Sequence, residues 1–278
     1  MIFGYNTNGF AHHRLEDAID IISLLGYQSV AITLDFHALH PSHEGFSEQV
    51  TRVKNLLSAK NLRSVIETGG RFVLDLQRKH QPTLISPVEC ERQVRLEFLM
   101  KAVDIARELD SNLVSFWSGR PLDKASSGVL MDRLVYGCHK LCDYAAERKV
   151  RLAFEPEPGM FIDTMEQFAE LHQRVNQPNF GLTIDIGHLH CQGEVPISDQ
   201  LRKWSQLLWN VHIEDMSRGV HEHLMFGEGE IDFLPILRTL TEIGYEGGVH
   251  AELSRHSHDA VNAAWKSLDF LRAAASEM

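Results

Sequence analysis

Four short apolar runs in this chain end in side chains able to bind a cation or move a proton. The run 150–154 leads into Glu155-Pro-Glu157-Pro-Gly159, and Phe180-Gly-Leu-Thr-Ile leads into Asp185-Ile-Gly-His188. A third run ends at Val211 and continues as His212-Ile-Glu-Asp215, and Gly248-Val-His-Ala251 leads into Glu252-Leu-Ser-Arg255. An acid at the end of a buried strand costs several kcal/mol unless something neutralises it. One divalent cation neutralises several such acids together. Glu155, Asp185, His212 and Glu252 supply three carboxylates and one imidazole. That set suits Mn²⁺, Mg²⁺ or Co²⁺ better than a structural zinc, which prefers thiolates and imidazoles; Zn²⁺ stays an option for a site of this size.

These side chains meet only if their runs are neighbouring strands of one parallel sheet. The rest of the chain predicts that arrangement. Strands are expected at 2–5, 29–34, 64–66, 113–116, 150–154, 180–185, 209–213 and 248–251. Between them, helical spacing marks 15–25, 50–57, 90–109, 130–148, a segment opening at Thr164-Met-Glu-Gln167, 199–208, 233–243 and 258–275. The Thr164 segment carries a capping-box pattern. Eight strand–helix beats in 278 residues predict one (β/α)₈ TIM barrel domain spanning 1–278. A doubly wound open sheet is the alternative, but no GxGxxG turn follows the first strand. Functional groups of such barrels sit on the loops after the strand ends. His37, Glu67 and Trp117 follow the second, third and fourth strands and point to the same mouth, where Trp117 can pack against a ligand or plug the barrel top. The connection 71–87 is long and holds two prolines, which suggests a lid. The segment from Arg218 to Asp232 reads as a loop, with His221 and His223 within it.

Composition narrows the function classes. Hydrophobic residues make up 44% and charged residues 23%, an ordinary globular balance. The net charge of −11 argues against a nucleic-acid or anionic-membrane surface. No apolar run approaches the ~20 residues of a membrane span. The start, Met-Ile-Phe-Gly-Tyr-Asn, shows no signal-peptide pattern, so a cytoplasmic location is expected. Four cysteines without a CxxC pair read as reduced thiols.

Taken together, Glu155-Pro-Glu157-Pro-Gly, Asp185-Ile-Gly-His188, His212-Ile-Glu-Asp215, His223 with Gly227-Glu-Gly229-Glu-Ile-Asp232, and Glu252-Leu-Ser resemble the sugar isomerase/epimerase family of xylose isomerase-like TIM barrels. The superfamily also holds ketose 3-epimerases, hydroxypyruvate isomerase, inosose dehydratase and apurinic endonucleases of the endonuclease four type. The resemblance implies that Glu155, Asp185, His212 and Glu252 bind one divalent metal, with Glu155 and Glu252 doubling as the proton-transferring pair. It further implies that His188 contacts a substrate oxygen and that Arg218 binds substrate. Glu157 and His223 join the substrate-side candidates, with His37, Glu67 and Trp117. Elementary chemistry agrees: a metal bridging a carbonyl and its neighbouring hydroxyl favours an enediolate, and carboxylates on opposite faces can remove and return the proton.

The expected activity is therefore a metal-dependent isomerase or epimerase of a small sugar or sugar phosphate, with homo-oligomerisation left open. A lyase or dehydratase of a keto-polyol and a non-catalytic metabolite-binding barrel are the alternatives. An endonuclease fits poorly. Those enzymes bind three zinc ions, and their loop after the seventh strand supplies an Asp-x-His pair that here reads His221-Glu-His223, matching only at the second position. They also need a histidine after the third strand, which here ends in Glu67.

Overall fold

The computed structural model describes residues 1–278 and contains ten strands and nine α-helices. The strands are β1 (Ile2–Asn6), β2 (Ser29–Thr33), β3 (Arg63–Glu67), β4 (Leu113–Phe116), β5 (Arg151–Phe154), β6 (Phe180–Asp185), β7 (Leu208–Ile213), β8 (Asp215–Ser217), β9 (Val220–Leu224) and β10 (Gly248–Ala251). The helices are α1 (Leu15–Leu25), α2 (Phe46–Lys60), α3 (Glu89–Glu108), α4 (Ser127–Glu147), α5 (Met165–Val175), α6 (Ile186–Gln192), α7 (Ile197–Trp204), α8 (Phe233–Glu242) and α9 (Ala260–Ser276). Eight parallel strands close into a barrel in the order β1-β10-β7-β6-β5-β4-β3-β2, and β8 and β9 form a separate antiparallel hairpin. The expected (β/α)₈ architecture is the observed one.

Chain contacts group the residues into two compact units, 1–32 with 52–64 and 182–278, and 33–51 with 65–181. In the first, β10 lies between β1 and β7, with Gly4 in register with His250 and His250 with His212; β6 follows, with Asp185 in register with His212. The apolar stripe of α1, Leu15, Ala18, Ile19 and Ile22, is buried, and Gly26 ends that helix in the left-handed conformation, φ 99°. In the second unit, the rings of Phe116, Phe154 and Phe180 pack at centroid distances of 5.3–6.2 Å. There the Thr164 side chain accepts from the Gln167 backbone and the Gln167 side chain caps back, so the capping box forms as the sequence predicts.

Three expectations need correction. Residues 186–192 are a helix, so His188 lies in a first helical turn rather than on a loop. The Asp185 carboxylate makes that turn by accepting the His188 backbone N–H at 2.8 Å. The segment read as a loop from Arg218 begins inside the β8–β9 hairpin. Helix α2 starts at Phe46, four residues before the first expected position, because its opening turn is polar and lacks apolar periodicity. The connection 71–87 holds no helix or strand, as expected. No helix is long and apolar enough to cross a membrane, and all four cysteines are free.

Candidate functional site

Glu155, Asp185, His212 and Glu252 each offer a ligand atom, and these atoms all lie within 4.8 Å of one another. Glu155 is 6% exposed, Asp185 2% and His212 1%. Local structure aims each one. The Glu155 backbone N–H donates to Phe116 at 2.9 Å, which continues the β4–β5 ladder to the strand tip. Asp185 is held by its capping bond. Asn6 turns the chain after β1 by accepting from the Asn8 backbone, and this brings Asn8 Nδ2 to 2.7 Å from Glu252 Oε1. The other Glu252 oxygen, Oε2, lies 2.8 Å from His212 Nδ1.

Burial works against charge here, and neighbours decide the outcome. Desolvation alone would raise the Glu252 carboxyl, but the imidazoles of His212, His223 and His188 outweigh it and hold the group below the usual carboxylate range. Asp185 follows the same pattern, lowered against its burial by His188 and His223. Glu214 goes the other way. It is fully buried, and desolvation together with the charges of Asp185 and Glu252 pushes its carboxyl well above the usual range. Neither Glu214 oxygen, nor Asp185 Oδ2, finds a donor when all carboxyls are ionised. Asp185 hydrogen-bonds Glu214 when the latter carries a proton. This crowd of acids therefore needs either a shared proton or a cation.

A second imidazole group sits beside the first. Ligand atoms of His188, His221 and His223 also lie within 4.8 Å of one another. His188 Nε2 is 3.1 Å from His221 Nε2, and His223 Nδ1 donates to the Glu252 carbonyl at 2.9 Å. Burial lowers His188, and burial with the neighbouring imidazoles lowers His221 to about 4. Neutral His188 and His221 rings each present one donor and one acceptor, suited to hydroxyl groups.

The other expected residues divide. Glu67 (5% exposed) and Trp117 (4%) are buried at the ends of β3 and β4. Trp117 packs between the Arg95 guanidinium, 4.7 Å from the ring centroid, and the His80 ring at 5.3 Å. His37 and Glu157 are half-buried in the segments after β2 and β5. Arg218 is exposed at the β8–β9 turn, its guanidinium against Gly193 and its backbone N–H on Glu230 at 3.1 Å.

Sequence reasoning assigned no role to Glu214, Asp215, Asn210 or His250. Asp215 organises the segment after the hairpin: its carboxylate accepts the backbone N–H groups of Met216, Gly227, Gly229 and Ile231 at 2.9–3.1 Å. The glycine-rich Gly227-Glu-Gly229 motif now has a cause, since a Cβ at Gly229 would collide with that carboxylate. Gly187 likewise leaves the space that Glu214 fills.

Comparison with known proteins adds kinship to this geometry. Residues 19–274 match the family described as xylose isomerase-like TIM barrel. The L-ribulose-5-phosphate 3-epimerase UlaE of Shigella flexneri serotype 5b (strain 8401) is 23% identical over 248 residues, covering 88% of this chain and 87% of that protein. The crystal structure of a D-tagatose 3-epimerase-like protein matches with a TM-score of 0.83 at 22% identity, over 99% of this chain and 97% of that one. A crystal structure of IolI protein with a binding zinc atom gives 0.80 at 19% identity, over 100% and 99%. At these identities the structural likeness is one of fold. The match over 19–274 places the chain itself: it belongs to the xylose isomerase-like TIM barrel family.

Proposed function

We propose that this chain is a divalent-metal-dependent epimerase or isomerase that moves a proton on the carbon beside the carbonyl of a small keto-sugar or its phosphate. The observation carrying this reading is the convergence of Glu155, Asp185, His212 and Glu252 within 4.8 Å. The donor set fits a divalent cation: three acids crowd together, and Asp185 Oδ2 has no donor unless a proton or a cation supplies one. A cation bound there would draw charge from a substrate carbonyl oxygen and acidify the adjacent C–H.

The chain's own residues do the rest. Asn8 donates to one Glu252 oxygen, and His212 Nδ1 holds the other until a cation takes that nitrogen, which together orient the carboxylate as a proton acceptor. Glu155 supplies the second carboxylate, for the opposite face of the substrate. Proton removal at one face and return at the other inverts a carbinol centre through an enediolate. The imidazoles of His188 and His223 orient substrate hydroxyls. The epimerase activity named for the curated relative UlaE supports the same chemistry.

The test is to incubate the metal-loaded protein in D₂O with a panel of ketoses and ketose 5-phosphates. Deuterium at the carbon beside the carbonyl, with conversion to the epimer, is the expected result. Loss of water from the substrate would mark a dehydratase, and no exchange with any member of the panel would defeat the reading.

A further inference from the structure

A line of buried polar side chains runs from the candidate centre into the barrel interior. Ser29 Oγ lies 2.8 Å from His250 Nε2, and His250 Nδ1 lies 3.1 Å from Asn210 Oδ1. Asn210 Nδ2 is 3.1 Å from His212 Nε2, and His212 Nδ1 is 2.8 Å from Glu252 Oε2. Ser29 is 2% exposed, and Asn210 and His250 are fully buried. The barrel is shaped around the middle imidazole. Gly4, in register with His250, and Gly248 flank its ring, and a Cβ at either position would collide with it. An imidazole buried this deeply between two glycines calls for a role.

The donors and acceptors give the line a direction. Ionised Glu252 only accepts, so His212 carries its proton on Nδ1. His212 Nε2 then accepts from the Asn210 amide, Asn210 Oδ1 accepts from His250 Nδ1–H, and His250 Nε2 accepts from the Ser29 hydroxyl. Every link points towards Glu252. A neutral imidazole has one donor and one acceptor, so turning one link over forces its neighbours to turn.

We infer that Ser29, His250 and Asn210 are positioning residues that set which nitrogen of His212 carries the proton, and that the whole line reverses when a cation takes the His212 Nδ1 lone pair. This rests on the metal-binding reading above. A ligating nitrogen cannot keep its proton. The His212 proton then sits on Nε2 and needs an acceptor, which Asn210 Oδ1 becomes when the amide turns over. Asn210 Nδ2 next donates to His250 Nδ1, and His250 Nε2–H donates to Ser29 Oγ. No proton is gained or lost: each imidazole keeps one and moves it from Nδ1 to Nε2. The line thus lets His212 become a ligand without expelling a proton into the buried interior. Partners of this kind behind a metal-ligating histidine typically change metal affinity by ~10–100-fold.

Imidazole ¹⁵N NMR of the labelled protein, metal-free and titrated with Zn²⁺, reads the tautomers directly. The expected result is Nδ1–H at both His212 and His250 without metal, and a switch of both to Nε2–H as Zn²⁺ binds. A switch at His212 with His250 unchanged would overturn the inference and leave the metal reading intact. No response at His212 would overturn both. Zn²⁺ affinity, measured by competition with a chromophoric chelator, gives an independent readout. His250→Phe keeps a ring in the slot but no donor or acceptor, and should weaken Zn²⁺ binding ~10–100-fold. Asn210→Asp should tighten it, because a carboxylate accepts from Nε2–H and enforces the free lone pair on Nδ1. Parental affinity in both variants would refute the inference. Should His250→Phe fail to fold, Asn210→Asp and the titration of the parent protein decide.

Discussion

His212 Nδ1 and Glu252 Oε2 stand 2.8 Å apart at the tips of adjacent strands β7 and β10. The same contact serves two states. Without a cation, the imidazole donates to the carboxylate and keeps it ionised against its burial. On the proposed metal-binding reading, both atoms would become ligands, and their spacing already suits capture.

Glu252→Gln tests the carboxylate as a proton acceptor. Glutamine keeps the shape and an oxygen but cannot take a proton. Losing a positioned base costs ~10²–10⁴-fold in rate. We expect at least that loss in solvent-deuterium exchange at saturating Mn²⁺, and the same for Glu155→Gln. Parental exchange rates in both variants would mean that the carboxylates only bind metal, and the proton would then have to pass through another group such as His188.

Metal removal is expected to abolish activity. Mn²⁺, Co²⁺ or Mg²⁺ should restore it better than Zn²⁺, because the acids outnumber the imidazole three to one. Binding only to the folded chain also stabilises it, by about 2.7 kcal/mol when free metal exceeds Kd a hundredfold. Thermal melts in excess chelator and in excess Mn²⁺ should therefore differ by several degrees. Identical melts and full activity in chelator, with metal shown absent, would contradict the expectation.

Most of the barrel was legible because its strands are short apolar runs ended by chemistry, and β4, β6 and β10 match their expected bounds. The acids at those ends could be read for the same reason. Helix α6 was not legible: seven residues with a glycine at the second position carry too little periodicity, and a side-chain cap on Asp185 decides the matter. Asn210 and His250 sit inside strands, where no spacing rule marks them. The available signal was their polarity, since a parallel strand covered on both faces seldom carries an amide or imidazole mid-run. Glu214 and Asp215 lay inside a quoted motif, but only the structure shows one carboxyl starved of donors and the other given four.

Asp215 should hold the segment after the hairpin in place. Its four backbone donors make it the acceptor on which residues 216–231 converge. Hydrogen bonds to a charged group are worth ~1.5–3 kcal/mol each and are not additive, so Asp215→Ala should destabilise the protein by about 2–4 kcal/mol. Gly229→Ala should act in the same direction by pushing a methyl into the carboxylate. Urea denaturation measures both. A change under about 0.5 kcal/mol for Asp215→Ala would show that water replaces the carboxylate at little cost.

Glu214 supplies a pH prediction of definite sign. Its carboxyl is fully buried and pushed well above the usual range, by desolvation first and then by Asp185 and Glu252. In the unfolded chain the same group titrates near 4.3. Between those two values the folded, metal-free protein binds one more proton than the unfolded chain, so this group's contribution to stability falls as pH rises. The slope for one such group approaches ~1.4 kcal/mol per pH unit while it stays protonated in the fold. Glu214→Gln removes the titration and keeps the shape, and its amide can donate to Asp185 Oδ2. The variant should therefore gain little over the parent at pH 4.5 and become increasingly more stable towards pH 8, in the absence of metal. With Mn²⁺ bound, the cation's charge replaces the shared proton and the difference should shrink. The measurement is the urea midpoint of parent and variant at pH 4.5, 6 and 8, with chelator and with Mn²⁺. A variant less stable than the parent at pH 8 in chelator would show that Glu214 is ionised in the folded protein, paired through its neighbours rather than through a proton.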